Sequence, residues 1–227
     1  RAMLNKITKN KNEVIKSLSK NYKDVFSNAL VKKYKKTSNF RIIGMGGSIL
    51  GANSIYDFLN KKINKNFSFV NNLQAHKNKK IKKNYTNLII SKSGNTIETI
   101  INSNLLINKN DKNIFVTENK KNYLHILAEK LKADIVHHND YIGGRYSVLS
   151  EVGMLPAELM GLNSKKFRQF NALIENKKFL NALIMNVGSI FYLIKKKKFN
   201  SVIINYDEKS DSFFKWYQQL IAESLGK

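Results

Sequence analysis

The apolar positions follow two periods. Val14, Ile15, Leu18, Tyr22, Phe26, Leu30 and Val31 recur in steps of three and four, which predicts an amphipathic helix over residues 11–35, broken once. From Phe40 the pattern becomes short continuous apolar runs, each followed by a polar or glycine-rich turn and then a helical stretch. "FRIIGMGGSILG" reads as strand, glycine turn and helix, the helix continuing through Ile55, Phe58 and Leu59. "NFSFVNN" at 66–72 is a short strand, and "NLIISKSGNTIETIINSNLLI" again runs strand, polar loop, helix. "KNIFVTE" at 112–118 is a strand with the helix "YLHILAEKL" behind it, and "ADIVHH" at 133–138 is another. Residues 151–162 read as a helix capped by Ser150, 165–195 as further helix, "SVIINYDE" at 201–208 as a fresh strand and 211–225 as a last helix.

Strands alternating with helices predict an α/β architecture with a parallel sheet, and strands without polar alternation predict a sheet covered on both faces. The crossovers should be right-handed. Ligands of such sheets bind at the carboxyl ends of strands, where the loops 44–48 and 91–96 both fall.

Composition narrows the class. The chain has 227 residues, 42% of them apolar, enough for one large domain or one domain and part of another. No apolar run is long enough to span a membrane, and "RAMLNKITKNKNEVIKS" lacks the apolar core of a signal peptide. The absence of cysteine excludes disulfides, thiolate metal sites and cysteine nucleophiles. A cytoplasmic protein is the expectation. The formal net charge of +24 invites a nucleic-acid reading, but the lysines are spread along the chain, with short clusters at 77–83 and 194–198, and arginine occurs only at 1, 41, 145 and 168. Neither a nucleic-acid nor a membrane partner is expected; the positive field suits the steering of an anionic small molecule. Residue 1 is Arg and the chain stops inside a helical pattern, so a fragment is expected.

Four stretches can carry chemistry. In "GMGGS", 44–48, glycines permit close backbone approach to a ligand, and Ser48 can cap the following helix or offer its hydroxyl outward. Ile49 stands where a dinucleotide fingerprint needs glycine. In "SKSGNT", 91–96, Ser91, Ser93 and Thr96 can donate to phosphate oxygens, N–H groups around Gly94 can form an anion nest, and Lys92 adds charge; a helix cap by Ser93 or Thr96 explains the same residues. "YIGGRYS", 141–147, sets Arg145 after two glycines, either to enter a cleft or to pair with a carboxylate and fix a loop. In "QQLIAES", Gln219 and Glu223 share a helix face; the glutamate is either a buried general base or a solvated surface acid. His137, His138 and Asp140 look like a metal cluster, but neighbouring strand residues point to opposite faces, so no metal is expected.

Taken together, "GMGGSILG", "SKSGNTIET", "YIGGRYSVLSEVGML" and "QQLIAESLGK" resemble, in order and spacing, the phosphoglucose isomerase family of sugar-isomerase domain proteins. The resemblance covers nearly all of residues 40–227. It implies three-layer α/β sandwich domains with a parallel sheet: an N-terminal helical segment at 1–39, a first sugar-isomerase domain at 40–165, and connecting helices with the start of a second such domain at 166–227. It implies that Ser91, Lys92, Ser93 and Thr96 hold a substrate phosphate, that Gly47, Ser48 and Gly144 line the sugar site, that Arg145 stabilises an enediolate, that Glu223 carries the proton between C2 and C1, and that Gln219 lies beside the substrate. No cofactor is implied; a homodimer is. The family's ring-opening histidine and last-signature lysine lie beyond the glutamate, and this chain ends four residues past Glu223, so neither is assigned and the chain alone is expected to be inactive. The Ser-Gly-Asn-Thr in the phosphate loop also resembles bifunctional phosphoglucose/phosphomannose isomerases. A sugar-phosphate-binding regulatory module is the alternative of another class.

Overall fold

The computed structural model describes residues 12–73 and 85–226. The lysine cluster at 77–83, His76 and the first residue of the predicted 11–35 helix lie outside them. Two short helices, α1 (Glu13–Ser17) and α2 (Asn28–Lys33), precede a strand β1 (Asn39–Gly44), a helix α3 (Leu50–Leu59) and a strand β2 (Asn66–Val70). Then come β3 (Thr86–Ile90), α4 (Ile97–Leu106), β4 (Lys112–Glu118), α5 (Tyr123–Lys130) and β5 (Asp134–His138). Helices α6 (Glu151–Leu159), α7 (Phe170–Glu175), α8 (Lys177–Lys195) and α9 (Asp211–Leu225) complete the chain.

The five strands pair in parallel in the order β2-β1-β3-β4-β5. Successive residues of the central β3 and β4 are buried on alternate faces, as a doubly covered sheet requires, while the edge strands β2 and β5 are partly exposed. Phe40, Ile42, Leu88, Ile90, Ile114 and Val116 pack with Ala52 and Ile55 of α3 and Val152 and Leu155 of α6. Ile43, Ile89 and Phe115 pack on the other face with Leu124 and Ala128 of α5 and Ile100 of α4. Each fully buried aliphatic side chain is worth about 1.5–3 kcal/mol over an exposed one, so the strand cores hold the three layers together. The strand order places the first crossover to one side of β1 and the later ones to the other. A constant right-handed crossover then demands helices on opposite faces, which is where α3 and the pair α4 and α5 lie.

The reversal of direction falls between β1 and β3, the switch point at which such sheets open a crevice for ligands. Gly44 at the end of β1 is paired with Ile90 at the end of β3, so the two polar loops leave the sheet side by side.

The predicted N-terminal helix is interrupted over residues 18–27, and the 165–195 helix is divided at Asn176, whose side chain accepts from the Phe179 N–H (3.1 Å) and caps α8. The strand expected at 201–208 does not form. Among the described residues no strand pairs with it, and Val202, Ile204 and Tyr206 are 83%, 70% and 94% exposed. Local hydrogen bonds compete instead: the Asn205 amide donates to the Asp207 carbonyl (2.9 Å) and the Asp211 carboxylate (2.6 Å), turning the chain into α9.

Candidate active site

The loop after β1 forms one tight turn, Gly46–Ser48, with the Ser48 N–H bonded to the Met45 carbonyl (3.1 Å). Gly46 has φ +53°, a conformation that favours glycine. Gly47 lies against the backbone of Gly144, so close that a Cβ there would be 2.4 Å from the Gly144 carbonyl oxygen. The Ser147 hydroxyl joins the two loops, donating toward the carbonyls of Gly47 (3.0 Å) and Gly144 (2.8 Å). Ser48 does not cap: Ile49 holds the cap position of α3, without a side-chain hydrogen bond, and the half-buried Ser48 hydroxyl is left for other partners.

The loop after β3 is held from outside. Gly94 has φ +66°, and a Cβ there would run into the Asn122 amide, which caps α5 through the His125 N–H (2.9 Å). The Gly94 carbonyl accepts from Leu124 N–H (3.2 Å), and the Asn95 side chain accepts from Tyr123 N–H (3.1 Å). Neither serine nor threonine caps α4. Thr96 occupies the cap position with extended backbone, but its hydroxyl is bonded to Ser91 (2.8 Å), and Ser93 accepts only from the Asn95 N–H (3.3 Å). The first-turn N–H groups of α4 thus lack a side-chain acceptor at the positive end of the helix, the arrangement that favours an anion. Lys92 is turned elsewhere, to the Asp140 carbonyl and toward Glu118 (3.5 Å), where it ties the loop to the end of β4.

The third loop and α9 meet. Arg145 Nη1 donates to the Glu223 carbonyl (2.8 Å) and toward the Ser224 hydroxyl (3.3 Å), and its Nε lies 3.6 Å from Glu223 Oε2. Gln219 donates to Glu223 Oε1 (2.8 Å) and its Nε2 lies against Gly46, while Gln219 Oε1 is buried without a hydrogen-bond partner. Arg145 thus pairs with a carboxylate, one of its two readings. Of the two readings of Glu223, its side chain fits the partly solvated one, with 45% exposure. The structure brings together Gly47, Gly144, Arg145, Gln219 and Glu223, beside a β3 loop that carries Ser91, Ser93 and Thr96.

His137 and His138 diverge. His137 stacks on His125 (5.8 Å between centroids), whereas His138 Nδ1 meets Glu151 Oε1 at 2.6 Å in the interior, so the pair does not share an ion. Glu151 is fully buried. Burial alone would raise its pKa, but the hydrogen bond and charge of His138 and the Asn139 N–H outweigh it, and the carboxyl lies below its ordinary value of 4.5. A folded pKa below the unfolded one gives stability that is complete above the unfolded value and is lost as pH falls through the folded one. The melting-temperature advantage of the wild type over Glu151→Gln should therefore be full above the ordinary carboxylate value and narrow as pH falls below it. An advantage that widens on acidification would contradict this.

The family profile described as phosphoglucose isomerase matches residues 5–227. A glucose-6-phosphate isomerase of Methanocaldococcus jannaschii is 36% identical over 227 residues, covering 91% of this chain and 56% of that protein. One from Acholeplasma laidlawii is 33% identical, covering 87% and 52%. Among solved structures, a hypothetical protein from Thermus thermophilus superposes with TM-score 0.70 over 88% of this chain and 52% of its own, at 23% identity. A glucose-6-phosphate isomerase from Chlamydia trachomatis gives 0.67 over 88% and 43%, also at 23% identity. Both share the fold. The chain spans about half the length of the curated relatives it matches.

Proposed function

The chain belongs to the phosphoglucose isomerase family, and on that premise we propose that the protein interconverts glucose 6-phosphate and fructose 6-phosphate through an enediolate. The observation that carries the reading is the meeting of Arg145, Gln219 and Glu223 against the Gly46–Gly47 turn, next to a hydroxyl-rich loop at a helix start. The reaction moves a carbonyl from C1 to C2. One carboxylate facing both carbons takes the proton from C2 and returns it to C1, with the electron pair held meanwhile on the oxygen at C1, which takes up the hydroxyl proton given up at C2 as the new carbonyl forms; Glu223 has the carbon-to-carbon role. Arg145 offsets the charge of the oxyanion, and Gln219 holds the carboxylate from the other side. Ser91, Ser93, Thr96 and the first turn of α4 hold the phosphate, with Gly47, Ser48 and Gly144 along the sugar. Lys92 acts in the same loop by tying it to Glu118. Binding at the phosphate end positions the reacting carbons.

A homodimer in the cytoplasm and a second sugar-isomerase domain beginning within 166–227 belong to the same reading, supported by the family membership. Among the described residues no helix is long and apolar enough to cross a membrane.

The test is conversion of fructose 6-phosphate to glucose 6-phosphate by the full-length protein, with mannose 6-phosphate in the same assay to report substrate breadth. Ser91→Ala combined with Thr96→Ala removes both members of the 2.8 Å hydroxyl pair. Because the two hydroxyls bond each other and leave one proton for the phosphate, it is expected to raise KM by about 10- to 100-fold, as for one lost hydrogen bond to a charged group at about 1.5–3 kcal/mol, with kcat far less affected. An unchanged KM would return those hydroxyls to a purely local role.

A further inference from the structure

We propose that Glu151 and His138 are positioning residues, a buried pair that clamps the base of the Gly144–Arg145 loop and so aims Arg145 at Glu223. The proposal rests on the isomerase reading above.

The loop leaves β5 at His138 and enters α6 at Glu151, so its two ends lie together. Glu151 Oε1 accepts from His138 Nδ1 (2.6 Å) and from the Asn139 backbone N–H (3.0 Å), and Oε2 accepts from the Tyr22 hydroxyl (2.8 Å). His138 Nε2 reaches the Ile142 carbonyl (3.1 Å). A carbonyl can only accept, so Nε2 carries a proton and Nδ1 donates to the carboxylate. The two side chains are 2% and 0% exposed. The clamp thus fixes the backbone at both ends of the turn 139–142, whose own Ile142 N–H bonds to the Asn139 carbonyl (3.1 Å).

Direction is what such a pair supplies. A buried ion pair is weak evidence for stability, because apolar side chains of equal volume often serve as well. Between the clamp and Arg145 stand only Gly143 and Gly144, and a Cβ at Gly143 would meet nothing within 4 Å. Two glycines impose no heading of their own. The heading of Arg145 comes from the Ile142 carbonyl on one side and Ser147 on the other. Further support reaches the far end: Arg168, bound to Asp24 and 5.0 Å from the Tyr22 ring, donates through Nε to the Leu149 carbonyl (2.9 Å).

Glu151→Gln in the full-length protein keeps the shape and weakens the clamp. It is expected to lower kcat by about 10- to 100-fold, the range for removing a group that orients an active-site side chain. KM for fructose 6-phosphate stays unchanged, because the phosphate loop leaves a different strand. Amide hydrogen exchange should rise over 140–146 and not over 91–96. Wild-type kcat together with unchanged exchange over 140–146 overturns the proposal, and so does a loss confined to KM. If Glu151→Gln does not fold, Tyr22→Phe, which leaves the ion pair intact and removes its second-oxygen donor, is read by the same two measurements. Glu223→Gln beside it separates the two levels. No turnover in the wild type rejects the isomerase reading and full turnover in Glu223→Gln rejects the base, whereas loss there with full turnover and unchanged exchange in Glu151→Gln rejects the clamp alone.

Discussion

Replacing Glu223 by glutamine is expected to lower kcat by about 10²- to 10⁴-fold, the range for removing a general acid–base, while KM moves little. The variant should fold. The Gln219 amide, 2.8 Å from Glu223 Oε1, still finds an oxygen in the carboxamide. Arg145 keeps its 2.8 Å bond to the backbone carbonyl of residue 223. The ion pair that is lost spans 3.6 Å between partners 31% and 45% exposed, and pairs of that kind are worth about 0–1 kcal/mol. The loss in turnover is then chemical rather than structural. A coupled assay of glucose 6-phosphate formation measures it, with a thermal melt on the same sample; undiminished kcat would remove Glu223 as the proton carrier.

The second large effect is expected from Gly47→Ala. The added Cβ meets the carbonyl oxygen and carbon of Gly144 at 2.4 and 2.5 Å, both backbone atoms that cannot swing aside. The Ser147 hydroxyl, shared between the two carbonyls, resists their separation. Overpacking of this kind costs about 1–3 kcal/mol, and displacing catalytic groups by about 1 Å costs about 10²-fold in rate. The variant should therefore melt earlier and lose about 10²-fold in kcat/KM. Gly143→Ala is the control: with φ −76° and open space around its Cβ, it should stay within about 0.5 kcal/mol of wild type. Equal melting temperatures for the two alanine variants would contradict a backbone contact between the loops.

These contacts mark where sequence stops being legible. The strand at 112–118 was readable to the residue because an apolar run between polar ends carries its own signal. The sheet edge followed from it, and with it the place of both polar loops. The meeting of Arg145 with Glu223, 78 positions apart, has no local signature; only the resemblance of the motifs as a set joined them. Glu151 follows the Ser150 cap, where the helix dipole favours an acid, and nothing nearby in sequence signals full burial. Tyr22 passed as one apolar position of a helix, whereas its hydroxyl meets Glu151, 129 residues on. The failed strand at 201–208 has the converse origin: β-propensity is realised only against a neighbouring strand, and Asn205 offered local hydrogen bonds instead.

The switch point between β1 and β3 divides the proposed machinery between two supports. The phosphate loop grows from β3, whose five residues are all buried at the centre of the sheet. Glu223 rides on α9, fastened to α3 near its start by the Asn53–Ser212 hydrogen bond (3.0 Å) and by Ser212 with Asp57, while Phe213, Tyr217 and Ile221 face outward. Central strands open only with the whole domain, whereas a surface helix held through side chains, by Ser212 near its start and by Arg145 on the Glu223 carbonyl near its end, opens at lower cost. On the proposed roles, a substrate gripped by its phosphate stays in place through a local opening of the helix that carries the carboxylate.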